Sequence, residues 1–112
     1  MKVPELHSTG CDPLECPHCG QDYLHQGKVE IFNRDEDAEE GFHVVVKGRS
    51  VEVDENLTGN PSLRRQGIKI HMECENCEAE VTLNILQHKG QTHIEAGYKL
   101  PKLYLVAIRG GD

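Results

Sequence analysis

The sequence predicts an all-β protein made mainly of antiparallel strands, with little helix. Apolar residues alternate with polar ones before and after a Cys-x2-Cys turn, at Ile68, Ile70 and Met72 and then at Val81, Leu83 and Ile85. Further alternating runs are separated by turn residues such as Gly48 and Gly90. A period of two is typical of a half-buried strand and does not fit an amphipathic helix. We therefore expect a meander of antiparallel strands with an inserted β-hairpin.

Two Cys-x2-Cys turns predict a metal site with the ligands Cys16, Cys19, Cys74 and Cys77. Four thiolates are the number that a tetrahedral structural zinc site requires. Gly20 follows the first pair and readily adopts a positive φ, and Asn76 tolerates a left-handed conformation within the second pair. Because 54 residues lie between Cys19 and Cys74, several strands must return the second pair to the first. We expect one structural Zn²⁺ per chain.

Other sites also contain parts of these motifs. Cys-Pro-His-Cys occurs in thiol-disulfide oxidoreductases, where it opens a helix, whereas a strand-like run follows it here. His71-x-Glu73 beside Cys74 is similar to the zinc deaminase signature, but the two elements of that signature lie well apart in sequence. A rubredoxin-like iron site shares Cys-Pro-x-Cys-Gly and stays open as an alternative. We expect no catalytic residues, so the protein is not predicted to be an enzyme.

The strands can be placed in order along the chain. Residues 23–32 predict a first strand, and Phe42–Asp54 predict a hairpin. We expect Gly48 to end a type I turn with a G1 bulge. Residues 55–66 are predicted to form a loop because they are rich in turn residues. Residues 68–98 predict a three-stranded sheet, with the second cysteine pair at its first turn.

At 112 residues the chain is predicted to be one domain. Residues 1–15 are expected to be a loosely ordered lead-in, with Cys11 as a free surface thiol. Residues 16–109 form the zinc-stabilised β-domain, and residues 110–112 are a flexible end. The apolar run in Lys99–Asp112 predicts a seventh strand within the chain. The alternative is docking of this run on a second copy, which gives a homodimer.

The acidic charge disfavours nucleic acid as a partner. The formal net charge is −7, and a zinc ion bound by four thiolates adds about −2. Residues 30–55 contain nine acids and three bases, so most of the repulsion is local. Cysteines arranged as two close pairs plus one suit a reducing cytoplasm rather than a disulfide framework. Neither a signal-peptide core nor a membrane span is predicted.

The two knuckles resemble those of the zinc-ribbon group. The first has the sequence Cys-Pro-x-Cys-Gly at residues 16–20, and the second lies at the tip of the hairpin in residues 68–98. The chain also resembles small uncharacterised zinc-ribbon proteins of bacteria and their phages. This resemblance implies a metal-ligating role for the four cysteines. It also implies a module that binds protein or nucleic acid and rarely catalyses a reaction.

We expect a protein partner, bound through the sheet face or the acidic loop at residues 33–41. The alternative is a nucleic-acid-associated ribbon, related to transcription or to phage and mobile elements. Its candidate contacts are Arg64, Arg65, Lys69 and Lys89. Four histidines fall on or beside predicted strands, and we expect most of them to be ordinary surface residues of the sheet, namely His43, His71, His88 and His93.

Overall fold

The structure is a computed structural model that describes residues 12–100. Within that range the chain forms six strands and no helix. The strands are β1 (Leu24–Asn33), β2 (Phe42–Lys47), β3 (Ser50–Asp54), β4 (Gly67–Cys74), β5 (Glu80–His88) and β6 (Gln91–Lys99). They form a single antiparallel sheet in the order β3-β2-β1-β4-β5-β6. The predicted all-β class is confirmed, as are the inserted hairpin β2–β3 and the three-stranded meander β4–β5–β6.

The long separation between the cysteine pairs is closed by the pairing of β1 with β4. In this pairing Leu24, which follows the first pair closely, is the direct partner of Cys74. The strand β1 contains a bulge between Gln26 and Val29, after which the register continues to Gly67. The hairpin β2–β3 then pairs on the outer side of β1. The inserted residues therefore extend the sheet without separating the two knuckles.

Both hairpin turns are shorter than the predicted turn with a G1 bulge. Lys47 pairs directly with Ser50, which leaves a two-residue loop in which Gly48 has a φ of 59°. The loop between β5 and β6 is also two residues long, with φ values of 50° at Lys89 and 78° at Gly90. Two-residue loops with positive φ match the right-handed twist of paired strands better than types I and II do. The G1 bulge prediction was wrong for this reason.

The two faces of the sheet differ completely in charge. Cross-strand partners point to the same face, so the registers define what we call the apolar face. Its apolar residues are Val29, Ile31, Phe42, Val44, Val46, Val51, Val53, Ile68, Ile70, Met72, Val81, Leu83, Ile85, Ile94, Ala96 and Tyr98, and the uncharged polar residues Gln26, Asn33, Gln87 and Thr92 lie on the same side. Outside the bulge, the charged residues of the six strands all lie on the opposite, polar face.

The loop at residues 55–66 packs on the polar face at the end far from the cysteines. Its Ser62 is buried and donates a 2.7 Å hydrogen bond to the carbonyl of Gln87 in β5. The Ser62 hydroxyl also accepts a hydrogen bond from the backbone of Arg65. Beneath the loop Phe32 is almost fully buried. This end of the sheet is therefore held by loop packing rather than by cysteines.

Some predictions concern residues outside the described range. They are residues 1–11 of the predicted lead-in at residues 1–15, with Cys11, then residues 101–112 of the run Lys99–Asp112 that predicts a seventh strand, and with them the flexible end at 110–112. They stay predictions.

A substitution at Gly67 tests most directly whether loop 55–66 packs against β4. A Cβ at Gly67 would lie 2.3 Å from the amide oxygen of Asn60 and 2.8 Å from the ring of Pro61. We expect Gly67→Ala to lower the free energy of unfolding by about 1–3 kcal/mol, because the loop must move to make room. Urea denaturation of the metal-loaded protein measures the change.

The matched control is Gly97→Ala in β6, where a Cβ meets no atom within 4 Å. This change should be neutral or stabilise by up to about 1 kcal/mol, since alanine loses less backbone entropy on folding. Equal effects of the two substitutions would contradict the packing of the loop described above.

Candidate metal centre

The two Cys-x2-Cys turns have the same backbone hydrogen bonds. In the first knuckle the backbone N–H of Gly20 donates to the carbonyl of Cys16 at 2.9 Å, and the N–H of Cys16 donates to Gln21 at 2.7 Å. In the second, Glu78 donates to Cys74 at 2.9 Å, and Cys74 donates to Ala79 at 3.0 Å. Each turn therefore presents two sulfurs on one side of a closed loop.

The residue after the second cysteine is left-handed in both knuckles. Gly20 has a φ of 81° and Glu78 has a φ of 62°. Asn76, which the sequence analysis named as tolerant of the left-handed conformation, does not adopt it, because the turn closes one residue after Cys77. Glycine adopts this conformation without cost, whereas a residue with a Cβ is strained there. The backbone of the second knuckle is therefore strained at Glu78.

The four sulfurs converge as the sequence predicts. The Sγ atoms of Cys16, Cys19, Cys74 and Cys77 all lie within 4.8 Å of one another. The Cys16 and Cys77 sulfurs are 3.7 Å apart, and the Cys19 and Cys74 sulfurs are 3.5 Å apart. Sulfurs at the corners of a tetrahedron around Zn²⁺ are about 3.8 Å apart, given a metal–sulfur distance of about 2.3 Å. The cluster therefore has the size of a tetrahedral metal site.

The site is also the centre of the small core at this end of the sheet. Cys16 is 2% exposed and Cys74 is 0% exposed. Met72, Ala79 and Val81 are buried against them. Partly buried apolar side chains complete the cluster, namely Leu14, Leu24, Ile70, Leu83 and Leu100. Water is largely excluded from two of the four sulfurs, which favours a bound ion over exchange with solvent.

The sulfurs differ in their readiness to ionise. Hydrogen bonds from the backbone N–H of Gln21 and the side chain of Asn76 lower the pKa of the Cys19 thiol to about 6. Burial raises the pKa of the Cys77 thiol to about 12. Thiolates this close repel one another, and a cation among them favours the ionised form of all four. The donor set is soft and closed, which suits zinc or iron and not a hard cation such as Mg²⁺.

The candidate basic contacts do not form one patch around this centre. Arg65 pairs with Glu36 at 2.6 Å, and Arg64 lies 3.5 Å from a carboxylate oxygen of Asp37. Both acids belong to the acidic loop at residues 33–41. Lys69 is half-buried in β4 on the polar face, and Lys89 is exposed in the β5–β6 turn. The two arginines thus fasten the acidic loop to loop 55–66.

A second cluster of titratable groups lies on the polar face, and it corrects one sequence expectation. His43 is buried rather than a surface residue. Its Nδ1 lies 2.9 Å from Asp54, and its Nε2 lies 2.9 Å from Glu30. The other carboxylate oxygen of Glu30 lies 2.5 Å from His71 Nε2. Phe32 stacks on the His43 ring with centroids 4.5 Å apart.

These four polar residues come from four strands, so the linear sequence gives little sign of the cluster. Asp54 is the direct cross-strand partner of His43, and Phe32 is its partner on the other side. Only the register of β1, β2, β3 and β4 brings them together. The other two of the four histidines named from the sequence, His88 and His93, are exposed as expected, with their rings 5.9 Å apart.

Comparisons with known proteins give no match from which a function could be inferred. A scan against protein-family models finds no match. No curated protein and no solved structure matches the chain significantly. The resemblance to the zinc-ribbon group therefore rests on the two knuckles and their hairpin. Among residues 12–100, no helix is long and apolar enough to cross a membrane.

Strain at Glu78 gives a direct test of the knuckle. We expect Glu78→Gly to raise the free energy of unfolding by about 1 kcal/mol, because the left-handed backbone costs glycine nothing. Glu75→Gly, in the same knuckle but without a positive φ, should lower stability instead, since glycine loses more entropy there. Chemical denaturation with metal present measures both. Stabilisation by the Glu75 change alone would show that the knuckle is not built this way.

The cluster around His43 predicts a pH dependence. Burial lowers the pKa of His43, but hydrogen bonds to Glu30 and Asp54 outweigh burial and raise it above 6.5. The stability that His43 contributes is then fully present below pH 6.5 and is lost as the pH rises through the raised pKa. His43→Gln should remove this loss and cost about 1–3 kcal/mol at pH 6.5, because Glu30 is left without one partner.

Denaturation midpoints between pH 6.5 and 8.5 measure this effect away from acid, where thiolate protonation releases metal. The exposed His93→Gln variant is the control and should keep the slope of the unmodified protein. The same slope in His43→Gln would show that His43 does not carry the dependence. The pKa values of Glu30 and Asp54 are lowered, so their contributions are lost only on the acid side.

Proposed function

We propose that the protein is a small interaction module that binds another protein, stabilised by one structural Zn²⁺ and without catalytic activity. The observation that carries the proposal is the apolar face, much of which the described residues leave exposed. A sheet with one apolar face buries that face against a second layer. The second layer is the binding partner, and the metal centre keeps the sheet in the geometry that presents the face.

The closed donor set supports a structural zinc. Catalytic zinc keeps a position open for water or substrate and uses three protein ligands, whereas four cysteines fill a tetrahedral site. Structural zinc contributes folding free energy directly. This contribution matters because the buried residues among positions 12–100 are few. The free thiols at this site suit a reducing compartment such as the cytoplasm.

The exposure of the apolar face supports a protein partner. Val53 is 61% exposed and Phe42 is 55% exposed, and both lie at the same end of the face. Contiguous apolar surface of several hundred Å² marks interaction sites on soluble proteins. Nucleic acid is bound chiefly through its phosphates, and the apolar face offers no charge to them. A second protein is the partner that this surface fits.

A groove on the polar face supports nucleic acid as the second candidate. It has a volume of about 1010 Å³ and is lined in part by Lys28, Lys47, Lys69 and Lys99. Glu73 and Glu80 line the same groove, and the chain carries a net charge of −7. An electrophoretic mobility shift at about 50 mM salt, repeated at about 200 mM, tests this candidate. No shift at the lower salt removes it.

Metal analysis tests the zinc part of the proposal. We expect one zinc per chain in protein purified without added metal, and iron in the same amount would contradict zinc. Cys16→Ser and Cys77→Ser should each lose most of the zinc and unfold at lower denaturant, because three thiolates hold the ion less tightly. Cys11→Ser is the matched control and should keep one zinc. Cysteine variants that keep both metal and stability would overturn the structural role.

Affinity capture tests the binding part, with two variants of equal charge on neighbouring residues of β6. Ile94→Lys places a charge on the apolar face, and His93→Lys places one on the polar face. Partners bound through the apolar face should be lost with Ile94→Lys and kept with His93→Lys. Capture that is the same for both variants would show that the apolar face is not the binding surface.

A further inference from the structure

We propose that the partner covering the apolar face is the same face of a second copy of this chain, so that two sheets pack into a two-fold symmetric sandwich. This inference rests on the proposed function, because it names the partner for the surface described there. It follows from the chemistry of the face, its area and the segments of this chain that are available to cover it.

The chemistry of the face restricts the partner. Its central row runs across all six strands through Val53, Val44, Ile31, Ile68, Ile85 and Ile94. A second row runs parallel to it through Val51, Val46, Val29, Ile70, Leu83 and Ala96. A partner with charged side chains would lose their hydration here without gaining an ion pair. The partner surface must therefore be apolar over the same extent.

The area of the face decides between the candidates within this chain. Strands lie about 4.8 Å apart and side chains on one face repeat about every 6.7 Å, so each residue occupies about 32 Å². The fourteen apolar residues of the face other than the buried Met72 and Val81 present about 450 Å² by this measure. An extended strand of six residues covers about 100 Å² of a sheet. The apolar run Leu103–Ile108 is of that length and leaves most of the face to be covered.

The position of Leu100, after which this run follows in the sequence, supports the same conclusion. Leu100, the last described residue, packs against the cluster around Met72 and Val81 at the cysteine end of the face. That end is already covered, since Met72 is 8% exposed. Tyr98 is 48% exposed beside this end, but the most exposed residues lie away from it, where Val53 is 61% exposed and Phe42 is 55% exposed. The part of the face that most needs a partner is thus the part farthest from the point where the described chain ends.

A second copy meets the requirements of chemistry and area together. Two sheets pack face to face at about 10 Å with their strands rotated by about 30°, and their inner side chains interdigitate. A groove of about 440 Å³ among Ile31, Val44, Val53, Ile68 and Ile85 gives each face a recess for side chains of the other. A two-fold axis brings the same surface of both copies into contact, so this surface must be complementary to itself. The pair buries about 900 Å², which is the size of a weak, transient interface.

The low area and the acidic charge give the dimer a distinctive behaviour. We expect dissociation in the micromolar range, because interfaces of this size are weak. Each copy carries a net charge of −7, so the copies repel one another at long range. Salt screens this repulsion, and the dimer should therefore become tighter as salt rises. An interface held by ion pairs would show the opposite trend.

Sedimentation equilibrium of the full zinc-loaded chain tests the proposal, with the chain mass of 12.6 kDa as the reference. We expect a mass approaching twice this value at tens of micromolar protein. The variant Val53→Lys/Ile94→Lys charges both ends of the central row and should raise the dissociation constant at least about 100-fold. The matched control is Ser50→Lys/His93→Lys, which adds the same charges on the polar face of the same strands and should leave it unchanged.

Circular dichroism and zinc content verify that each variant is folded. If the double variant loses its zinc, Val53→Lys alone, on the exposed edge strand β3, replaces it. The full-length variant Leu103→Lys/Leu105→Lys should keep the dimer, whereas loss of the dimer in this variant would assign the contact to the C-terminal run and overturn the proposal. A dimer equally stable in all variants would assign it to a sheet edge and overturn it as well.

The outcomes also separate this inference from the proposed function. A monomer at every concentration, combined with capture of another protein that Ile94→Lys abolishes, would refute the second copy and keep the protein-binding role. If the protein is a monomer and Ile94→Lys does not change which proteins it captures, both the second copy and the binding role of the apolar face are refuted. A dimer that Val53→Lys/Ile94→Lys dissociates supports both.

Discussion

The structure depends on the convergence of four sulfurs from opposite parts of the chain. Cys16 and Cys19 precede β1, whereas Cys74 and Cys77 connect β4 to β5, and all four Sγ atoms lie within 4.8 Å. This arrangement fixes the start of β1 beside the end of β4. The sheet grows outward from this central pair, with β2 and β3 on the side of β1 and with β5 and β6 on the side of β4. A cation at this point would stabilise a fold whose described residues contain only a small buried core.

The two ends of the sheet are held by different chemistry. At the cysteine end, apolar side chains surround the sulfurs, and the backbone of Glu75 is tied to Tyr23 by a 3.0 Å hydrogen bond. At the other end, loop 55–66 covers Phe32, while His43 joins carboxylates from β1 and β3. A metal ion held by the four sulfurs would make the first end sensitive to chelation, whereas the protonation of His43 makes the second end sensitive to pH.

The separation of charge between the faces is the feature most relevant to function. The strands carry their acids and bases on the polar face, where Glu30 and Lys69 lie on neighbouring strands. The apolar face has the composition of an interior surface, although the described residues leave much of it exposed. Selection of a partner by the apolar face would rest on shape and on the exclusion of charge, while the acidic surface elsewhere would keep the chain soluble.

The sequence by itself determined the strand class, the inserted hairpin and the four sulfur ligands. Period-two alternation and Cys-x2-Cys spacing are local patterns with direct structural meaning. It did not determine that Glu78 rather than Asn76 is left-handed, since the closure of the knuckle depends on hydrogen bonds across the turn. The environment of His43 was also decided by tertiary structure alone, because Glu30 and Asp54 reach it from two other strands. Alternation shows which residues of one strand share a face, but only the register between strands shows which residues of different strands meet.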